Sequence, residues 1–345
     1  MRPSLFSTFL CGVLLVSCST QRSLPATVSR TFNRMDTFVT LTLVVSPGIE
    51  ADSRGSRSGV SDVLAGVDSL LASWEERFSQ TGAGSEVRAL NRREPGIFPL
   101  SHDLIEMIAR SRAWGDSTAG MFDITILPVK EVWGFGEKSG EQRVPSRREL
   151  DSVLQFVGYR QFSLNRDSGT IMFSSDSVRL DVGGIAKGVA LARVGEYLDR
   201  KGFTQYLVVA GGDILCRGRR APQRPWRIGV QHPRRSEELM AILDLDDGGS
   251  VVTSGDYERY FEQEGIRYHH LFNPRTAMSC RRNQSLTVYS PDPVEADALS
   301  TGLFCMDVPQ VLAYIEARAH LECLVVDSAG TVTVSSGWQS RLTLL

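Results

Sequence analysis

The stretch "LDVGGIAKGVALARVGEYLDRKG", residues 180–202, decides how the rest of the chain is read. It opens on an acid, Asp181, and turns at Gly183-Gly184. Apolar residues then recur at helical spacing, at Leu191, Val194 and Leu198. The spacing predicts a helix from Lys187 to Lys201, with Gly202 where a C-terminal stop belongs. Paired glycines let a backbone turn tightly and approach another group closely. The start of a helix offers unpaired N–H groups and a positive dipole end, both suited to an anion. Lys187 adds charge nearby. Yet the spacing G-G-x-x-x-G matches neither the dinucleotide fingerprint nor the Walker loop. The stretch alone leaves two readings open, a phosphate cradle and a plain strand-to-helix turn.

Working outward, strands and helices come in mixed runs. Residues 38–45, "FVTLTLVV", are β-branched and apolar and read as a strand. Residues 46–59 read as a flexible connection. Val63, Val67, Leu70, Leu71 and Trp74 sit at helical spacing within 60–78. A second helix is expected over 101–118 behind Ser101, and a short one behind Ser146, whose Glu149 completes a capping-box spacing. Residues 170–182 read as a hairpin, and 205–218 as two strands around a Gly-Gly break. Further strands are expected within 226–255, 267–274, 285–290 and 321–336, with helices over 294–306 and 309–319. No strict βαβ alternation and no internal repeat is present. The expected class is α+β, with mixed or antiparallel sheets and packed helices.

The 345-residue chain is long enough for a large core, and its net charge of -2 shows no basic excess, which argues against a nucleic-acid partner. At the N-terminus, Arg2 precedes an apolar run from Leu5 to Val16 that is too short to span a bilayer. The run ends in Leu15-Val16-Ser17-Cys18, which resembles a bacterial lipoprotein signal. That likeness implies a signal peptide over 1–17, lipid on Cys18, a tether over 18–30 and a folded domain over 31–345. It also implies an exported, lipid-anchored protein, with inner or outer membrane left open. Cys216, Cys280, Cys305 and Cys323 remain, with no C-x-x-C pair to suggest zinc. They allow three disulfide pairings, or buried free thiols.

Four further segments carry chemistry. In "EADALSTGLFC", residues 295–305, Asp297 and Thr301 lie four apart and share a helix face. A carboxylate and a hydroxyl are hard oxygen ligands suited to Mg²⁺, although a surface Asp beside a helix-bonded Thr has the same spacing. In "YHHLFNPRT", residues 268–276, His269 and His270 point to opposite sides of any strand, so at most one faces a site as a general base. In "GMFDITILPVKEVWGFG", residues 120–136, Asp123 sits among apolar and aromatic residues. That composition suits a flat heteroaromatic ligand and, equally, a core.

Taken together and in order, these segments, with "YLVVAGGDI" (206–214) and "TSGDYERYF" (253–261), resemble the successive signatures of the ApbE-type FAD:protein FMN transferases. The likeness runs from about Met35 to near the C-terminus. It implies a T-fold-related flavin transferase fold. It further implies FAD as substrate, Mg²⁺ as cofactor, and transfer of FMN to a threonine hydroxyl with release of AMP. The acceptor threonine would lie in a Ser-Gly-Ala-Thr type of motif, in a redox-pump subunit or related flavoprotein. The resemblance assigns the metal to Asp297, Thr301 and the backbone oxygen of Ala186. It assigns flavin contacts to Met35, Met121, Phe122, Asp123, Asp181, Lys187, His270 and Leu271. His270 is the expected base for the incoming hydroxyl, with Asp297 as the second catalytic group.

The chain departs from the family pattern at several points. Asp36 stands where the family has Gly, where a side chain would crowd the adenine end or change the backbone. Thr81 falls at an aromatic position, which Trp74 or Phe78 would fill only if the loop shifted. Met121, Asn273 and Ala277 are smaller changes. Two other functions use the same groups: FAD hydrolysis to FMN and AMP, and non-catalytic FAD binding at a membrane. A purely structural role for the glycine turns predicts no flavin binding at all.

Overall fold

A computed structural model describes residues 25–45, 58–94, 96–136 and 140–345. The signal peptide, Cys18 and most of the connection at 46–59 lie outside the described residues. No helix among the described residues is long and apolar enough to cross a membrane.

The frame is an eight-stranded antiparallel sheet. Its strands are Ala26–Arg34 (β1), Thr37–Val45 (β2), Tyr206–Ala210 (β3), Asp213–Arg217 (β4), Gly248–Gly255 (β5), Asn283–Ser290 (β6), Glu322–Asp327 (β7) and Val332–Val334 (β8). Their order across the sheet follows their order along the chain. Eight α-helices among the described residues are set into the connections: Ser58–Phe78 (α1), Glu86–Asn91 (α2), His102–Ser117 (α3), Leu127–Val132 (α4), Arg147–Leu154 (α5), Ala186–Arg200 (α6), Pro293–Leu303 (α7) and Val308–Glu316 (α8). The α+β reading is therefore the observed one.

Period-two side chains divide the sheet into two faces. Val39, Leu41, Leu43, Val208 and Ala210 pack on Val67 and Leu71 of α1 and on Ala190, Leu191, Val194 and Leu198 of α6. Truncating a residue such as Leu41, fully shielded here, costs about 2–5 kcal/mol. The opposite face, with Ile214, Val251, Leu324 and Val326, packs on a ribbon formed by Trp226–His232 and Arg235–Leu245. Cys323 and Val325, one residue out of phase with Leu324 and Val326, join a third cluster with Leu299, Leu303 and Phe304 around α7.

Two boundaries differ from expectation. The tether was expected to reach Arg30, but β1 starts at Ala26 and pairs with β2 from Ala26↔Val45 to Arg34↔Thr37. Alternation in "ATVSRTFNR" is weak because this edge strand is largely exposed, and cross-strand pairing holds it instead. The hairpin expected over 170–182 is also not formed. Only Thr170–Phe173 is extended, and it pairs back with Phe162–Asn165 and with Ile97–Pro99. The chain then runs irregularly, held by side chains. Asn91 Oδ1 accepts the Leu180 N–H at 2.7 Å, and Asn91 Nδ2 donates to the Leu180 carbonyl at 2.7 Å. This side chain takes the backbone bonds that a neighbouring strand would have taken.

Cys280 and Cys305 form a disulfide, with Cα atoms 5.2 Å apart. Cys216 and Cys323 are buried free thiols, each pushed up to about 12 chiefly by burial. Both expectations for the cysteines are thus met, each by one pair.

Candidate active site

The glycine turn at 183–184 and helix α7 meet face to face. A Cβ built on Gly184 would lie 3.1 Å from both Cγ2 and Oγ1 of Thr301. One built on Gly188 would lie 2.5 Å from the Pro293 carbonyl oxygen and 2.8 Å from Cβ of Asp297. Only glycine permits this approach. Asp297 Oδ2 accepts the Gly188 N–H at 2.7 Å. The first turn of α6, read as a possible phosphate cradle, thus already gives an N–H to a carboxyl group of the protein itself. Trp74 Nε1 donates to the Ala186 carbonyl at 3.2 Å, tying the same turn to α1.

Around this junction lies a cavity of about 920 Å³. Every cavity residue expected from the sequence lines it: Met35, Met121, Phe122, Asp123, Asp181, Ala186, Lys187, His270, Leu271, Asp297 and Thr301. Trp74 and Phe78 line it too, with ring centroids 4.3 Å apart. No loop shift is needed to bring these aromatics to the wall, contrary to expectation. Thr81 also lies on the wall, its carbonyl accepting from Arg88 at 2.8 Å.

The two histidines divide as the sequence predicts. His269 is buried. Its Nε2 donates to the Cys280 carbonyl, and its Nδ1 accepts the Leu271 N–H at 3.2 Å. Both nitrogens are used, and the residue is structural. His270 faces the cavity. Its Nδ1 contacts the Arg259 carbonyl at 3.3 Å. A carbonyl only accepts, so the proton is on Nδ1 and the Nε2 lone pair is left for other partners. Burial, then the Lys130 and Arg259 cations, push His270 down to about 3, so the ring is neutral near pH 7.

Acids in the cavity fall into two groups. Burial raises Asp181, but the Lys130 ion pair and the Gly183 N–H at 2.8 Å outweigh it and hold the carboxyl below its usual range. Asp123 is pushed up to about 6 by burial, although its Oδ1 accepts from Thr125 N at 2.8 Å and Thr125 Oγ1 at 2.6 Å. The other group centres on Lys187, which pairs with the buried Asp213. Lys187 also feels Asp297 and Glu258, and these acids outweigh burial to raise its pKa. Asp297 is pushed up to about 7 by burial and by Asp213. Burial likewise raises Glu258.

Three acidic side chains thus gather around a single ammonium in a poorly solvated place, an excess of acids over cations that raises their hold on protons. A divalent cation fits that excess. Among the described residues, no three His, Cys, Asp or Glu side chains form a closed metal cage. The donor set Asp297, Thr301 and the Ala186 carbonyl is of the open, all-oxygen kind that Mg²⁺ takes together with phosphate and water.

The model of the ApbE family matches residues 35–325. The chain belongs to the ApbE family. A Haemophilus influenzae relative named FAD:protein FMN transferase is 28% identical over 303 residues, covering 86% of this chain and 85% of its own length. One from Vibrio cholerae, named likewise, is 29% identical over 290 residues, covering 82% and 83%. Among solved structures, the Thermotoga maritima ApbE protein superposes with a TM-score of 0.82 at 28% identity, over 92% of this chain and 99% of that one. The flavinyl transferase ApbE of Pseudomonas stutzeri, in its apo form, gives 0.80 at 26% identity, over 92% and 97%.

Some site residues of this ApbE-family chain were not singled out from sequence. Lys130, Asp213, Glu258 and Arg259 all line the cavity. Each falls inside a segment quoted above, yet nothing local marks the side chain as facing a site. Their charge acquires meaning only where distant segments meet.

Proposed function

We propose that this protein transfers FMN from FAD to a threonine hydroxyl of an acceptor protein, with Mg²⁺, releasing AMP. The observation that supports this most is the meeting of His270, Asp181, Lys187, Asp297 and Thr301 around one cavity. Relatives named FAD:protein FMN transferase, matched over more than four-fifths of this chain, support it further.

The reaction is a phosphoryl-type transfer. The acceptor oxygen bonds to the FMN phosphorus, the bridging P–O bond breaks, and its electron pair leaves with AMP. The hydroxyl proton goes to Nε2 of His270, the nitrogen freed by the Arg259 carbonyl. Such chemistry needs chiefly positioning and charge neutralisation. Asp297, Thr301 and the Ala186 carbonyl would hold Mg²⁺, which neutralises developing charge on the pyrophosphate when bound. Lys187, held by Asp213, lends a fixed positive charge beside the same turn. The aromatic and apolar wall from Trp74, Phe78, Met121 and Phe122 suits the flat ring of the flavin. Attachment to a bacterial membrane through lipid on Cys18 belongs to the same proposal. It would bring the cavity to membrane-bound acceptors carrying a Ser-Gly-Ala-Thr type of motif.

The test uses protein lacking its signal and Cys18, mixed with FAD, Mg²⁺ and an acceptor carrying the threonine motif. A covalently fluorescent acceptor band with stoichiometric AMP supports transfer. Free FMN and AMP without a labelled band mean hydrolysis, and tight FAD binding without AMP means a binding protein. Lipid attachment is tested by mass spectrometry of the N-terminal peptide from the full chain, where a Cys18→Ala chain should leave the membrane fraction.

A further inference from the structure

We infer that the Cys280–Cys305 disulfide is a positioning crosslink that holds the His270 turn against helix α7. The inference rests on the transferase reading only for its kinetic consequence. The turn itself is described by contacts on both sides of the crosslink.

Residues 270–280 leave the strand Ile266–His269, which pairs with Tyr260–Gln263 in a separate hairpin, and return beside it. Cys280 closes this excursion. Its N–H donates to the Leu271 carbonyl at 3.0 Å, and its own carbonyl accepts from His269 Nε2. Ser279 Oγ accepts the His269 N–H at 2.9 Å. The residues on either side of His270 are therefore both fixed to Cys280. Cys305 lies just past the end of α7, whose preceding turns carry Asp297 and Thr301. One covalent bond thus joins the segment bearing the candidate base to the helix bearing the candidate metal ligands.

Weaker contacts run across the same joint. The rings of His269 and Phe304 meet edge to face at 5.5 Å, and Asn283 Nδ2 donates to the Phe304 and Met306 carbonyls at 2.7 and 2.8 Å. The Asn283 bonds hold the end of α7 but do not reach the His270 turn. The ring contact holds His269, just before the turn, and Leu271 joins the buried cluster of Leu299, Leu303 and Phe304; neither fixes a separation as a covalent bond does. The far side of the turn is held independently, Trp133 Nε1 donating to the Ala277 carbonyl at 2.8 Å and Arg275 to the Ala119 carbonyl at 2.6 Å. Removing the crosslink therefore leaves α7 seated and loosens the turn at its His270 and Cys280 end, and small displacements of a reacting group carry large rate penalties. Cys280 and Cys305 are positioning residues, since neither thiol lines the cavity.

The experiment compares the oxidised chain, the same chain reduced with a phosphine and alkylated, and the Cys280→Ala/Cys305→Ala variant, all well below their melting temperatures. Amide exchange at Leu271 and Cys280 should quicken by about tenfold in the last two, while Leu191 and Val194 in α6 stay unchanged. With FAD and acceptor, kcat should fall by about tenfold with KM for FAD within about twofold. Reoxidising unalkylated reduced protein should restore both readouts. Unchanged exchange at the turn overturns the inference whatever the activity, as does a lowered melting temperature with kcat unmoved. If the double variant fails to fold, the reduced chain carries the comparison. If the oxidised chain transfers nothing, the proposed function fails and the exchange data still decide whether the crosslink holds the turn.

Discussion

Asp297 Oδ2 accepts the backbone N–H of Gly188 at 2.7 Å, so a carboxylate on α7 closes the first turn of α6. The bond brings an acid that burial and Asp213 raise to about 7 against the tightly packed junction of α6 and α7. Its ordinary value is about 3.9. Below about pH 4 both folded and unfolded chains keep this proton. As pH rises through about 7, the folded chain must ionise the group where it lies, and stability is lost. Asp123, raised to about 6, acts in the same direction, while His270, pushed down to about 3, opposes them. Without divalent ions, Asp297→Asn should therefore flatten the fall in Tm between pH 4 and 7 and melt a few degrees higher at pH 7.5. Parallel Tm profiles for variant and parent would rule this out.

Gly188→Ala should be among the most damaging single changes available. The new methyl would meet the Pro293 carbonyl oxygen at 2.5 Å, Asp297 Cβ at 2.8 Å and Val294 Cα at 2.9 Å. Two of these are backbone atoms, so α6 and α7 must separate. A loss of about 3 kcal/mol or more in urea unfolding is expected, at the upper end for overpacking. A loss under about 1 kcal/mol would show that the two helices slide past one another freely.

Lys130 and Asp181 test each other. Both side chains are mostly shielded, at 14% and 6% exposure, and they form an ion pair at the cavity wall. Lys130→Met leaves a buried carboxylate without its cation and should cost about 3 kcal/mol. Adding Asp181→Asn should return at least half of that. A double-mutant cycle with no coupling would mean that the pair contributes nothing to the fold.

Asp36→Gly should raise stability by up to about 1 kcal/mol. Met35 and Asp36 form the β1–β2 turn with φ of 57° and 55°, the left-handed region that only Gly adopts without cost. The structure keeps the turn and accepts the strain of an aspartate, which is among the better tolerated residues there. A lower Tm in the glycine variant would mean that the Asp36 side chain makes a compensating contact.

This turn also shows where sequence reading stops. A side chain at a Gly position was legible as a departure, but whether the backbone would yield was not, because cross-strand pairing from Arg34↔Thr37 outward decides it. The β-branched, apolar run of β2 and the apolar stripe of α6 were readable because each signal lies within its own segment. The irregular path before Asp181 was not, because Asn91, far away in sequence, supplies its hydrogen bonds. The oxygen pair Asp297 and Thr301 was visible as a helical spacing. The acids that give the pair its electrostatic meaning, Asp213 and Glu258, come from other strands and loops.

The sheet's strands succeed one another in order, yet β2 and its neighbour β3 are separated in the chain by all of α1 to α6. Their pairing, from Val39↔Ala210 to Leu43↔Tyr206, therefore closes the longest loop of any strand pair among the described residues. Loop closure is the slow, entropy-limited part of building such a sheet. The cavity walls come from every side of that closure, from Met35 before it, Trp74 and Asp181 within it, and His270 and Asp297 after it. Catalytic competence should accordingly arrive late and all at once during refolding, with no half-active intermediate on the way.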